Sequence, residues 1–108
     1  FEIQDKYICH CSGACTAEEA FPGIHAQGAY AISIHLLFPI SSKYNCWREL
    51  AGAFFCVEGD TQAVEVFVPL LRGLGLQVQT ISPESKAQYH LSCALASNFV
   101  CALAAQSC

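Results

Sequence analysis

The composition of this 108-residue chain limits what it can be. Hydrophobic residues make up 54% of it and charged residues 13%, whereas typical domains are about 45–50% apolar and about 25% charged. A domain of this length hides only roughly two-thirds of its unfolded surface, so we expect the chain to pack against further protein. Its net charge is −4, and the few basic residues form no stripe. Binding along a nucleic-acid backbone is therefore excluded.

The eight cysteines raise the question of a disulfide framework. Most of them fall inside strand-like or helical apolar runs, so we interpret them as small buried hydrophobic residues in a reducing, cytoplasmic compartment. Cys11 and Cys15 have half of a zinc-binding spacing, but no second pair exists, and no metal site is predicted. The N-terminus does not resemble a signal peptide. Residues 87–108 carry no formal charge, but polar residues interrupt them, which favours a buried helix over a membrane span.

In chain order, strands alternate with helices. We predict strands over residues 6–11, 29–37, 53–57 and 76–81, a polar loop over 41–45 and a helical turn over 46–50. Helices are predicted over 16–21, from a cap at Asp60 or Thr61 to an end at Gly73 and Gly75, and from Ser82 to about Ser107. The three helices are expected to be capped by Thr16, by Asp60 or Thr61, and by Ser82, in that order. Pro69 should kink the second helix because it removes a backbone hydrogen bond.

This alternation predicts an α/β fold. The second strand is nearly continuous in apolar residues, which is typical of a strand covered on both faces. The link from the second to the third strand is short, so we expect an antiparallel pair there and therefore a mixed sheet of about four strands. The last helix is apolar almost all round beyond Leu91 and should have partners on several sides.

Six short motifs occur in an order that carries a resemblance. They are His10-x-Ser12-Gly13-Ala14, Ser33-Ile34-His35, the run from Gly52 to Asp60, the run from Pro69 to Gly75, Lys86-x-x-Tyr89-His90, and Ser97-Asn98. The combination resembles a largely uncharacterised family of bacterial Rossmann-type proteins. That family is related to 6-phosphogluconate dehydrogenase, the β-hydroxyacid dehydrogenases, pyrroline-5-carboxylate reductase and F420-dependent NADP oxidoreductases. The resemblance covers roughly residues 8–106.

The resemblance implies a division of the chain. Residues 1–82 would be the C-terminal half of a nucleotide-binding Rossmann-like domain, and residues 83–108 would be the first helix of an all-α dimerisation domain. The phosphate-binding motif G-x-G-x-x-G does not occur in the sequence, so NADP or NAD would be bound mainly by a part that this chain does not contain. We therefore expect an incomplete piece of an NAD(P)-dependent oxidoreductase, inactive alone, whose parent acts on a small carbonyl, hydroxy or imino compound and forms a homodimer through its helical region.

The first candidate site lies on the last helix. Lys86 and His90 are four residues apart and share a face. In the β-hydroxyacid dehydrogenases a Lys and an Asn with this spacing open the corresponding helix, which by resemblance makes Lys86 the acid/base for the substrate oxygen. His90 stands in place of the Asn and could do acid/base work itself. Asn98 is rotated by about 120° from Lys86 at 3.6 residues per turn, and would border the same cleft on a curved helix.

The second candidate site follows the first strand. His10, Ser12 and Gly13 lie at its carboxyl end, where ligands sit in open α/β sheets. His35, near the end of the next strand, would join them, and we predict that all four approach the cofactor or the substrate.

Plainer interpretations stay open for each of these residues. Lys86 could be solvated, His90 could be an interface residue, Asn98 and Ser12 could be structural, and His35 could be a satisfied buried histidine. Two alternatives also stay open for the protein as a whole. The first is a non-catalytic dinucleotide-binding sensor or scaffold that dimerises through its last helix, and His90 in place of the expected Asn favours it. The second is a small stand-alone binding domain.

Overall fold

The structure, a computed structural model, describes residues 2–40, 42–44 and 46–107. These residues form a sheet of four strands, β1 (Tyr7–His10), β2 (Tyr30–Leu37), β3 (Phe54–Gly59) and β4 (Gln77–Thr80). The strands lie side by side in chain order. β1 and β2 are parallel, β2 and β3 antiparallel, and β3 and β4 parallel. The predicted mixed α/β sheet is confirmed.

The helical elements complete the predicted order. They are α1 (Ala17–Ala20), the 3₁₀ turns Ile24–Gln27 and Trp47–Leu50, α2 (Thr61–Gly73), and the 3₁₀ turn Pro83–Ser85 followed by α3 (Lys86–Ala94), a π-helical turn (Leu95–Phe99) and α4 (Val100–Ser107). The last three run on without a break and are called the final helix below. The predicted polar loop begins at Ser41 and ends at Asn45, and both of these residues lie outside the described ones.

The two faces of the sheet differ in chemistry because successive side chains of a strand alternate. On one face, Ile32 and Val57 are fully buried against Ala63 and Val68 of α2. The opposite face is covered by α1, the first 3₁₀ turn and the start of the final helix. That face has its own small apolar cluster, made of Ala17, Ile24, Ala29 and Ala31, and it also carries the polar side chains of β2 and β3.

The helix caps are confirmed only in part. Thr16 forms a reciprocal capping box: its Oγ1 accepts from the Glu19 amide at 3.1 Å, and Glu19 Oε2 accepts from the Thr16 amide at 2.9 Å. Asp60 and Ser82 occupy cap positions, but neither side chain makes a cap hydrogen bond. Asp60 instead accepts from the Ala31 amide at 2.7 Å and contacts His25 Nε2 at 2.8 Å. Partners distant in sequence outcompete the local bond there.

The expectation that most cysteines are buried is wrong. Among the described cysteines only Cys56 is buried; Cys9, Cys11, Cys46 and Cys101 are exposed, and Cys15 and Cys93 are intermediate. Cys9 and Cys11 are exposed because β1 lies at the edge of the sheet, and Cys101 is exposed because the final helix extends beyond the sheet, giving an outline of 54 × 28 × 24 Å. The final helix leaves large apolar side chains exposed beyond Leu91, and the partners expected on several of its sides are not among the described residues. No helix in the described part of the chain is both long and apolar enough to cross a membrane.

Candidate functional site

A cleft of about 510 Å³ opens between the end of β2 and the final helix. One wall is the segment from the end of β2 to Pro39, and the other is about two turns of the final helix. The first wall contributes His35, Leu36, Leu37, Phe38 and Pro39, and the second contributes His90, Cys93, Ala94, Ser97 and Asn98. The cleft therefore lies outside the carboxyl end of a strand that is parallel to its neighbour, which is the position where α/β sheets bind ligands.

Two imidazoles close over the backbone of Gly13 at one end of this cleft. A Cβ atom built on Gly13 would lie 2.8 Å from His35 Nε2 and 3.0 Å from His90 Nδ1. Real Cβ atoms essentially never come within 3.0 Å of such an atom, and a contact of 3.0 Å is already unusually tight, so a side chain at this position would displace the His35 ring and press on the His90 ring. The structure thus brings together residues of both predicted groups: Gly13 from the turn after β1, His35 from β2 and His90 from the final helix.

Tyr89 holds the His35 ring, a role that its sequence context did not indicate. The Tyr89 hydroxyl lies 2.8 Å from His35 Nδ1, and the two rings meet edge to face with centroids 5.6 Å apart. Burial, and then the neighbouring thiols of Cys56 and Cys93, raise the pKa of Tyr89, so the hydroxyl stays protonated and can donate.

The protonation state of His35 depends on this contact. Burial, and then the charges of His90 and Lys86, lower the pKa of His35 below its ordinary value of 6.5, so the ring is neutral at pH 7. If the Tyr89 hydroxyl donates to Nδ1, the proton of the neutral ring resides on Nε2. We assign this tautomer from the hydrogen-bonding pattern. His35 then offers an N–H donor at the end of the cleft, beside His90.

Lys86 lies behind the cleft and not among the residues that line it. It is 2% exposed, its ammonium donates to Ser33 Oγ, and it lies 3.3 Å from Glu58 Oε2. The same Glu58 oxygen accepts from the Ala17 amide at 3.0 Å. The ion pair therefore joins β2, β3, α1 and the final helix.

Neither Ser33 nor Glu58 was predicted as a partner of Lys86. The available signal was weak: each is a polar residue inside an otherwise apolar strand, where burial demands a partner.

His10 and Ser12 shape the turn that carries Gly13. His10 Nδ1 accepts from the Ser12 amide at 3.1 Å, and Ser12 Oγ accepts from the amides of Ala14 and Cys15 at 3.2 and 3.3 Å. Burial, and then the charge of Lys86, lower the pKa of His10. His10 Nε2 is buried and has no hydrogen-bond partner among the described residues. These two side chains do not line the cleft; they position the glycine that does meet the imidazoles.

Asn98 lies in the π-helical turn and lines the cleft, whereas Lys86 does not line it. A regular α-helix would rotate Asn98 by about 80° from His90, which does line the cleft. The π-helical turn, in which hydrogen bonds span five residues instead of four, holds one extra residue and rotates the later residues of the helix back by up to about 100°. Asn98 lies within this turn, Leu95–Phe99, and lines the cleft together with His90.

Comparisons with known proteins agree with the fold. The sequence profile of a family described as a domain of unknown function, DUF2520, matches residues 53–108. A solved structure, protein TM1727 from Thermotoga maritima, is similar to this chain with a TM-score of 0.66 and 30% sequence identity. The similarity covers 93% of this chain and 37% of that protein, so the chain spans little more than a third of its relative's length. Among curated proteins, no sequence matches.

Proposed function

The chain belongs to the DUF2520 family, and we propose from its geometry that it forms one wall of the substrate cleft of an NAD(P)-dependent oxidoreductase. The substrate is a small carbonyl, hydroxy or imino compound. The observation that carries this proposal is the convergence of His35 and His90 over Gly13 at the end of a cleft of about 510 Å³.

The cleft suits a small uncharged polar group. Its described lining contains no Lys, Arg, Asp or Glu, and its polar side chains are His35, His90, Ser97 and Asn98. The Nε2–H of neutral His35 can donate to a substrate oxygen or nitrogen, and Asn98 can orient the same molecule by hydrogen bonds. The His90 imidazole can give or take the proton that accompanies reduction or oxidation.

This chain can contact only the nicotinamide end of the cofactor. NADP or NAD would supply or accept the hydride when bound, and its phosphates need backbone amides of a glycine-rich loop. The chain has no such motif, so Gly13 and His35 are proposed to border the nicotinamide end alone, with His10 and Ser12 holding the turn that carries Gly13. Lys86, which by resemblance would be the acid/base, is proposed to act from behind by fixing the final helix and hence His90.

The test uses the full-length parent protein and substitutes His90. His90→Ala should lower turnover by roughly 10²-fold or more, while the dissociation constant for the nucleotide stays unchanged. Ser92→Ala is the matched control, because Ser92 is an exposed residue of the same helix whose hydroxyl bonds only to the Gln88 carbonyl of its own helix. Equal turnover in all three proteins would refute the role of His90, and a parent that binds nucleotide without any turnover would refute the enzyme proposal.

A second candidate function, non-catalytic dimerisation, is favoured by a specific surface. Leu91, Leu95, Phe99 and Leu103 follow each other at intervals of four along the final helix and are 47–58% exposed. An apolar stripe of this kind is typical of a helix that packs on a partner, and we propose a second copy of the chain as that partner. Sedimentation of the wild type and of Leu95→Glu tests it: a concentration-dependent dimer that the substitution abolishes is expected, whereas a wild type that stays monomeric would exclude it.

A further inference from the structure

Two exposed cysteines mark the end of β1. Cys9 and Cys11 are separated by one residue, so their side chains point to the same side of the strand. Both are free thiols and both are exposed. The Cys9 thiol donates to the His10 carbonyl at 3.4 Å, and the Cys11 thiol is close enough to raise the pKa of the Cys9 thiol. The two thiols are therefore neighbours, although no function above uses them.

The backbone permits a bond between them. Residues two apart on a strand have Cα atoms about 6.4–6.8 Å apart, at the long end of the roughly 4.4–6.8 Å that a disulfide spans. The last pair of the parallel ladder joins His10 to Ser33. Cys11 lies beyond it, so its backbone can move toward Cys9 without breaking the strand pairing. A bond at the limit of the allowed geometry is strained and is readily reduced.

We propose that Cys9 and Cys11 form a reversible dithiol–disulfide site that reacts with small disulfides such as glutathione disulfide. The Cys11 thiolate attacks one sulfur of glutathione disulfide, forming a mixed disulfide and releasing one glutathione thiolate. The Cys9 thiolate then attacks the Cys11 sulfur and displaces the second glutathione. Two protein thiols are oxidised, one glutathione disulfide is reduced to two thiols, and the two protons pass from the protein to the leaving thiolates.

The environment of Cys9 sets this order. Partial burial of the Cys9 sulfur, and then the neighbouring Cys11 thiol, raise the pKa of the Cys9 thiol, which makes it the poorer first nucleophile because the thiolate is the attacking form. Once Cys11 is held in the mixed disulfide, its negative charge is gone. Cys9 then ionises more easily and resolves the intermediate.

Closing the bond would also act on the neighbouring turn. His10 lies between the two cysteines, and its Nδ1 accepts from the amide of Ser12, which directly follows Cys11. Drawing Cys11 toward Cys9 would strain this contact and shift the backbone that leads to Gly13. The dithiol site does not depend on the proposed function, whereas any effect of oxidation on the cleft does.

The experiment treats the reduced chain with excess glutathione disulfide, alkylates the remaining thiols and maps them by mass spectrometry. Trypsin cleaves after Lys6 and Lys43, so Cys9, Cys11 and Cys15 fall in one peptide. The wild type and the matched control Cys15→Ser should both yield this peptide with Cys9 and Cys11 unalkylated and two hydrogen atoms lighter, and dithiothreitol should restore both thiols. Cys9→Ser should instead accumulate glutathione on Cys11.

Three results would overturn the proposal. They are a disulfide that disappears in Cys15→Ser, a wild type that retains as much glutathione adduct as Cys9→Ser, and thiols in the wild type that stay fully reactive toward the alkylating reagent. Folding of each variant is checked by circular dichroism. Because the two substituted side chains, Cys9 and Cys15, are exposed or only partly buried, serine should be tolerated at both positions.

Discussion

Removing the buried ammonium of Lys86 should be strongly destabilising. Lys86→Ala leaves Glu58 and Ser33, which are 3% and 0% exposed, without their shared donor. Breaking a buried ion pair from one side costs about 3–5 kcal/mol. Glu58 keeps its hydrogen bond from the Ala17 amide, so we expect the lower end, about 3 kcal/mol. Domains of this kind are stable by about 5–15 kcal/mol, and the variant should still fold.

Urea denaturation followed by circular dichroism measures this loss. With a denaturant slope of about 1–3 kcal/mol per M, the midpoint should fall by about 1–3 M. Lys6→Ala is the control, since Lys6 is exposed and its removal should change the free energy of unfolding by less than about 0.5 kcal/mol. Adding Glu58→Gln to Lys86→Ala should recover part of the loss, because the uncompensated charge is then gone. A loss below about 0.5 kcal/mol, or two substitutions that simply add, would refute the reasoning.

Three further predictions concern the cleft. Gly13→Ala should lower the free energy of unfolding, measured by urea denaturation, by about 1–3 kcal/mol, because its Cβ would meet the rings of His35 and His90. Gly73→Ala is the control, because a Cβ there would point into open space, and it should cause no loss. Equal effects of the two substitutions would contradict the geometry. Tyr89→Phe removes the 2.8 Å contact with His35 and should lower the free energy of unfolding by about 0.5–1.5 kcal/mol. It should also shift the NMR signals of the His35 ring, and unchanged signals would mean that the contact does not exist in solution. Because the fold lowers the pKa of His35, the unfolded chain binds its proton first as the pH falls. The free energy of unfolding should therefore be constant above about pH 7, decrease below 6.5, and level off beneath the lowered pKa; His35→Gln should flatten that decrease, and an unchanged slope would contradict it.

The parts of the fold that depend on local sequence were predictable. The capping box of Thr16 needs only a residue three positions away, and the apolar run of β2 reflects its own burial. The partners of Lys86 were not predictable, since Ser33 and Glu58 lie 53 and 28 residues away in sequence, and nothing in the spacing of a helix indicates which strand it will cross. Tyr89 was missed for a related reason: a tyrosine on a helix is consistent with simple packing until its hydroxyl is seen to meet His35.

Within the candidate site, residue type was more informative than spacing. Glycine after a strand and histidine near the end of the next strand led to Gly13 and His35, which the structure does bring together with His90. Exposure was the less reliable inference. An apolar run predicts burial only if the chain supplies something to cover it, and β1 and the final helix lie at the margins of the described structure.

The π-helical turn at Leu95–Phe99 has a consequence for how sequences of this family should be aligned. Asn98 lies eight positions after His90, and one of the intervening residues is absorbed by the wider turn. In an uninterrupted α-helix, two residues seven positions apart lie within about 20° of each other around the axis. A single-residue deletion in this helix would therefore preserve the site while restoring regular α-helix, so a gap at this point of an alignment should be treated as geometrically neutral and not as the loss of the asparagine.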